Sequence, residues 1–347
     1  MNPTRPALHG FTRIHGVAAL AALALGGCVA PRSTPTAAPT CQFQLTPRAD
    51  DAPVYGVQWL DPNRVLGSNH ECFYLSEDRG RTFREFGCPP RVEGSEELLG
   101  HFQFLSRDLG WVIRGGDTLL RTQDGGKRWE AFSFPGFIIR DVFFVNPTTG
   151  IWVGEKSKGE GGSIASAAFV TRDGGQHWTE LSLPPDDNPK SRLEGVWMRS
   201  DSEVWVVGEQ MLTSLDGGRT WQSMSMSRET VLDLRNGSIQ FHRGGVGWIL
   251  RLPNENYLLT CDRGRSWMER PSLGTSFWPM PIDCEHVYAL NVGRVMASDD
   301  GERTFHQVLD RDREGSGYHS LAYSEELGLF MALSDHTVTT CQLGADE

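Results

Sequence analysis

Six aspartates recur along the chain, Asp78, Asp124, Asp173, Asp216, Asp262 and Asp300, at intervals of 46, 49, 43, 46 and 38 residues. Carboxylates repeated in this way can ligate metals, move protons or close turns. Their neighbours decide among these. Five stand third in one frame, Ser/Thr-x-Asp-x-Gly-x-x-Trp/Phe: Ser76–Phe83, Thr122–Trp129, Thr171–Trp178, Ser214–Trp221 and Thr260–Trp267. A degenerate sixth copy, Ser298–Phe305, has Gly301 one place early. In a hairpin turn an Asp carboxylate accepts backbone N–H groups, Gly adopts positive φ without steric cost, and an aromatic can tuck beneath. The six aspartates are therefore expected to be turn residues on a rim, with no catalytic or metal-binding role.

Such turns need strands on either side. Apolar runs supply them: Leu98–Leu105, Trp111–Arg114 and Thr118–Thr122 before the second frame, then Ile138–Val145 and Ile151–Gly154 before the third. Leu193–Met198 and Val204–Gly208 precede the fourth, and Ser238–His242 and Gly247–Leu252 the fifth. A period of this length signals a solenoid or propeller. The frame resembles the Asp-box, or bacterial neuraminidase repeat, whose even repetition implies a β-propeller. The expected fold is all-β: a seven-bladed β-propeller of four-stranded antiparallel blades. After the last box, Tyr318–Tyr323, Gly328–Leu333 and Thr337–Gln342 make three strands without a box. Residues 41–46 are a strand without a blade. The last blade should thus be closed by the N-terminal strand, which removes exposed sheet edges.

The blade scheme pairs the cysteines. Cys72 and Cys88 fall opposite each other about Gly80. Cys41 starts the outer strand of blade 7 and Cys341 ends its third, so a bridge there would replace a missing turn. Cys261, in the fifth box, and Cys284, in the first turn of blade 6, lie on one face of adjacent blades. Neither a CxxC nor an HxxxH motif supports a zinc site.

The N-terminus reads as an address. Residues 1–15 hold Arg5 and Arg13 without an acid, and nine apolar residues follow, Val17–Leu25. That run is too short to span a bilayer and fits the apolar region of a secretory signal. Leu25-Gly26-Gly27-Cys28 resembles the lipobox of bacterial lipoproteins, which implies cleavage before Cys28 and a diacylglycerol on its thiol. Val29 stands where an inner-membrane retention signal has Asp, which implies the periplasmic side of the outer membrane. Pro/Thr/Ala-rich residues behave as an extended tether. The expected organisation is a signal peptide at 1–27, a lipid-anchored tether at 28–40 and one propeller at 41–347, with membrane contact through the Cys28 lipid alone.

With 33 Lys+Arg against 44 Asp+Glu, the net charge is −11. An acidic body argues against nucleic-acid binding, which needs a basic face. Gly110-Trp-Val-Ile, Gly150-Ile-Trp-Val-Gly154 and Val204-Trp-Val-Val-Gly208, together with the boxes Thr122–Trp129 and Thr171–Trp178, resemble the photosystem II stability/assembly factor family over roughly residues 41–342. That resemblance implies a non-enzymatic scaffold, without a cofactor, that binds a partner protein in a lumenal or periplasmic space. The rival class is a glycan-binding protein or a sialidase-like glycoside hydrolase. A sialidase needs an Arg triad and a Tyr–Glu pair, and it opens on an Arg-Ile-Pro strand; the only Arg-Ile here, Arg13-Ile14, lies in the signal.

Long segments should share the face opposite the boxes: Pro89–Leu99, Glu155–Ser166, Pro184–Arg192, Ser223–Asn236 and His306–Tyr318. The glycines in Lys158–Gly162 read as a flexible loop, since no phosphate-cradling context follows. At the mouth on that face, Arg114, Glu155, Glu209 and Arg251 end second strands, and Arg140, Asp141 and Glu194 open inner strands. These seven are the candidate partner-binding surface. Met224 and Met226 are either an adaptable apolar contact or blade packing. His70, His101, His242, His286 and His336 read as isolated polar residues.

Overall fold

β-branched and aromatic residues alternate sides along each apolar run, so a strand can bury both faces between neighbouring sheets. The computed structural model describes residues 42–343, except 51, 92–98, 158–163, 186–191, 225–237, 243, 251–255, 272, 275, 276 and 313. They form seven four-stranded antiparallel sheets and, among the described residues, no helix. Blades 1 to 6 run from inner to outer strand in chain order. Their inner strands are Gly56–Trp59, Leu99–Phe104, Phe137–Phe144, Leu193–Met198, Ile239–Phe241 and Phe277–Pro281. Blade 7 takes Ser320–Ser324, Leu329–Leu333 and Thr337–Gln342, with Gln44–Pro47 as its outer strand. The pairs Gln44↔Thr340 to Pro47↔Thr337 close the ring. Arg48 then fastens the closure, donating to Ala52 O at 2.7 Å, Asp50 Oδ1 at 2.9 Å and Asp335 O at 3.1 Å.

The boxes close hairpins as their residue types require. Ser76 Oγ donates to Asp78 Oδ1 at 2.8 Å and accepts from Gly80 N at 2.7 Å. Asp78 also accepts from Thr82 N at 2.8 Å and Thr82 Oγ1 at 2.7 Å. Asp124, Asp173, Asp216 and Asp262 are held by the same Ser/Thr hydroxyl and downstream N–H. The degenerate sixth box makes this turn too: Asp300 accepts from Ser298 Oγ and Thr304 N, both at 3.0 Å, and from Thr304 Oγ1 at 2.7 Å. There Glu302 takes the place of the box glycine, with a φ of 70°. Its side chain is 1% exposed and lies 3.6 Å from Arg270 Nε.

Box aromatics pack between sheets. Trp129 Nε1 donates to Gly126 O at 3.1 Å, and its ring stacks 5.9 Å from Phe73 of the preceding blade. Trp111 of blade 2 stacks on Phe144 of blade 3 at 3.6 Å, both fully buried. Burying such a ring contributes about 2–3 kcal/mol. Amide side chains clip neighbouring inner strands together. Gln103 donates to Phe144 O at 2.9 Å and accepts from Phe144 N at 2.6 Å, and Gln58 does the same at Phe104.

Cys72 is bonded to Cys88 within blade 1, beside the opposed pair Phe73↔Gly87. Cys261 is bonded to Cys284 across blades 5 and 6. Cys341 is buried and disulfide-bonded. Cys41 and Cys28 lie outside the described residues, so the expected Cys41–Cys341 bridge and the lipidated Cys28 do as well. Each box turn bonds the first turn of its own blade, as in Gly174 N to Thr148 O at 2.7 Å, so the two share a face. The second-to-third strand loops and blade connections occupy the other, here termed the loop face.

Blade 3 departs from the expected strand ends. Glu155–Ser166 is not all loop, because strands Gly150–Ser157 and Ile164–Thr171 stay paired through Ser157↔Ile164. Aromatic packing carries the sheet outward: Phe137 meets Phe169 at 5.2 Å and Trp152 at 5.8 Å, with Lys156 Nζ 4.9 Å over its ring. His306–Tyr318 likewise begins with the outer strand His306–Leu309 of blade 6.

Candidate functional site

On the loop face, blades 2, 3 and 4 each open their inner strand with a bulge. The register slips between Leu99 and Phe102, between Ile139 and Asp141, and between Leu193 and Gly195. Bulges re-aim side chains, and here the residues at the slips include His101, Arg140 and Glu194. Blades 3 and 4 meet their bulges with glycine. A Cβ on Gly154 would lie 1.9 Å from Ile138 O, and one on Gly208 2.0 Å from Arg192 O. Only a hydrogen fits at such a backbone approach.

The re-aimed groups converge. Arg140 Nη2 donates to Glu155 Oε1 at 2.7 Å. Arg192 Nε sits 3.9 Å from Glu155 Oε2 and in direct contact with Glu194 Oε1. The two carboxylates are nearly covered, with side chains 6% and 4% exposed, whereas Arg140 and Arg192 are 33% and 27% exposed. Buried acids thus hold partly exposed guanidinium groups at the mouth. Burial pushes the Glu194 carboxyl above its ordinary value; Arg192 and Arg140 oppose that shift, and the neighbouring Glu155 charge adds to it.

Asp141 ties three blades. It accepts from its neighbour Val142 N at 2.8 Å and from Val196 N of blade 4 at 2.8 Å, and His101 Nδ1 of blade 2 stands 2.7 Å away. Of the residues expected at this mouth, Arg140, Glu155 and Glu194 are brought together around Arg192, while Asp141, next to Arg140 in the chain, joins blades 2, 3 and 4 beside them. Glu209 is half-buried at its edge, where its N–H donates to Arg192 O at 3.2 Å. Arg251 lies outside the described residues. Arg114 is 4% exposed and lies apart from Arg140, Glu155 and Glu194, in the seam facing blade 1, where the charges acting on it are Glu71 and Arg91.

Two members escaped the sequence reading. His101, read as isolated, is the blade-2 partner of Asp141; its place two residues after Leu99 matches that of Asp141 two residues after Ile139, and this was the available signal. Arg192 was assigned to a loop, yet it precedes Glu194 by two residues and so shares its side of an extended chain. His242 is not isolated either. It is buried against Trp248 and Tyr323, with Nε2 2.7 Å from Pro281 O. Met224 packs against the core between blades 4 and 5, while Met226 lies outside the described residues. Among the described residues, the one trio with metal-ligand spacing is Cys72, Glu85 and Cys88. Two of these share a disulfide, so no thiolate is available there.

The family described as photosynthesis system II assembly factor YCF48 matches residues 133–230. A solved structure, "YCF48 bound to D1 peptide", is 17% identical with a TM-score of 0.59, over 90% of this chain and 98% of that one. YCF48 from Cyanidioschyzon merolae is 18% identical with a TM-score of 0.55, over 86% and 98%. The chain is an Asp-box β-propeller, and its residues 133–230 are similar to this assembly-factor family. Among curated relatives, the oligoxyloglucan-reducing end-specific xyloglucanase of Emericella nidulans is 28% identical over 140 residues. The probable enzyme of the same name from Neosartorya fischeri is 29% identical over 140 residues. Each match covers 37% of this chain and 16% of the relative, so the chain spans about a sixth of their length.

Proposed function

We propose that the protein is a non-enzymatic, lipid-anchored periplasmic scaffold, held at the outer membrane through Cys28, that binds a partner protein during assembly of an envelope or membrane complex. The observation that carries this reading is the charged mouth, where buried Glu155 and Glu194 fix Arg140 and Arg192 on a closed ring. A surface organised before binding loses little freedom when a partner docks. The likeness to a propeller solved with a peptide supports the same reading. The test is crosslinking in membranes with an affinity tag at Glu347, followed by mass spectrometry. One stoichiometric envelope protein should co-purify, and it should be lost from the Arg140→Gln, Arg192→Gln double variant while Arg303→Gln retains it. A wild-type protein that captures nothing stoichiometric rejects the proposal.

A second reading, a glycoside hydrolase or glycan-binding protein, is favoured by one feature. Glu155 and Glu194 both approach Arg192, and burial raises one of the two carboxyls, as an acid–base pair would need. The matched segment of the xyloglucanases supports it for part of the chain. Hydrolysis or binding of oligoxyloglucan or sialosides that disappears in Glu194→Gln would establish this reading in place of the first.

A further inference from the structure

Arg114 breaks the repeat. It pairs with Leu99 across the blade-2 bulge, where blades 3 and 4 pair Ile139 with Gly154 and Leu193 with Gly208. In the blade-2 bulge Gly100 and His101 are set against Ile113, and a full side chain stands opposite Leu99 where blades 3 and 4 have glycine. Two residues from Val112, Arg114 shares its side of the strand. That side joins Leu99, Phe102 and Phe73 in the apolar core between blades 1 and 2. Arg114 lies at the loop-face end of this core and is 4% exposed. Among the described residues it makes no ion pair, and its Nη1 is buried without a hydrogen-bond partner. The charges acting on it are Glu71 and Arg91, which are bonded to each other at 2.6 Å and act on it with opposite sign. A buried guanidinium left unpaired is a standing cost to a fold, and over an apolar layer its pull on an anion is strong.

We propose that Arg114 anchors an anion-accepting site in the seam between blades 1 and 2, filled by a side-chain carboxylate of the partner protein. This rests on the scaffold reading and names the chemistry its partner must present. Arg91, 71% exposed on its side chain, is placed to guide the acid inward. A forked guanidinium suits a carboxylate, since two N–H groups can meet its two oxygens.

The test uses the full chain in detergent and a hexaglutamate peptide as probe, with sulfate and acetate as comparisons. A chain of net charge −11 has no general attraction for such a peptide. Hexaglutamate should bind saturably. Arg114→Met should weaken it about 10- to 100-fold, as for loss of charge-assisted hydrogen bonds, and Arg114→Lys by less. Without peptide, Arg114→Met should melt no lower than wild type, because it removes a buried charge that makes no ion pair among the described residues. The proposal is overturned if wild type ignores hexaglutamate, if Arg114→Lys binds it unchanged, or if sulfate competes as well per charge. It is also overturned if Arg114→Met melts well below wild type, which would make Arg114 structural. If the partner still co-purifies with Arg114→Lys and is not displaced by hexaglutamate, this site falls while the scaffold reading stands.

Discussion

Replacing Asp141 with alanine should loosen three blades at once. The carboxylate accepts N–H groups from Val142 and Val196, each at 2.8 Å, and faces His101 at 2.7 Å, in a residue 4% exposed. A hydrogen bond to an ionised acceptor is worth about 1.5–3 kcal/mol. Two of them, with the donors left buried and unpaired, put Asp141→Ala at about 3–5 kcal/mol, the range for breaking one member of a buried charged group. Asp141→Asn keeps one acceptor oxygen and should cost about half as much. At about 2–4 °C per kcal/mol, the alanine variant should melt about 10 °C lower. Hydrogen exchange gives a local measure. The Val196 amide should lose at least about tenfold in protection, while the Phe104 amide, held by Gln58 at 3.1 Å, keeps its own. A double-mutant cycle with His101→Ala should show coupling of about 1–2 kcal/mol. A cost below about 1 kcal/mol, or unchanged Val196 exchange, would refute the view that Asp141 joins the blades.

Three further outcomes follow from the same geometry. Burial, the largest influence, raises the Glu302 carboxyl against the pull of Tyr257 and Arg270, so the unfolded chain gives up this proton first. Wild-type stability is then lost as pH rises from the ordinary carboxylate value of about 4.3 through the higher folded one. Glu302→Gln cannot ionise, so its stability relative to wild type should grow between pH 4 and pH 7 in urea melts; a pH-independent difference rejects this. Gly154→Ala and Gly208→Ala force a methyl against a carbonyl oxygen 1.9 or 2.0 Å away and should each cost about 1–3 kcal/mol, read as a lower denaturation midpoint. A Cys261→Ser, Cys284→Ser double variant opens a 23-residue loop and should lose about 3 kcal/mol if loop entropy dominates; an unchanged midpoint argues for an ordered loop in the unfolded chain.

The architecture was legible because one turn recurs six times with its chemistry intact. The hydroxyl, carboxylate, positive-φ residue and aromatic are local requirements, so a local pattern reveals them, and their period places the blades. Strand ends were less legible where distant contacts set them. Blade 3 extends to Ser157 because Phe137, Trp152 and Phe169 meet across three strands, and no single run announces that. The mouth was half legible. Arg140, Asp141, Glu155 and Glu194 follow from position in the repeat, whereas the link from His101 to Asp141 crosses blades and needed three-dimensional register. Arg114 was read as a rim charge because its strand position is terminal; burial depends on which sheet it faces.

The departures from the repeat share a logic. In a ring of similar blades, a residue that every blade carries is explained by the ring, whereas one that a single blade carries is not. Glycine faces the bulge in blades 3 and 4, and Arg114 replaces it in blade 2. Glycine completes five boxes, and Glu302 replaces it in the sixth at a positive φ that disfavours any side chain. Among the described residues, inner-strand bulges belong to blades 2, 3 and 4 alone, and the charged mouth is built on them. Blades that only needed to close a ring had no cause to bend there. Bulges, buried acids and a substituted glycine are concentrated on one arc of the loop face, and that arc is where the proposed partner would dock.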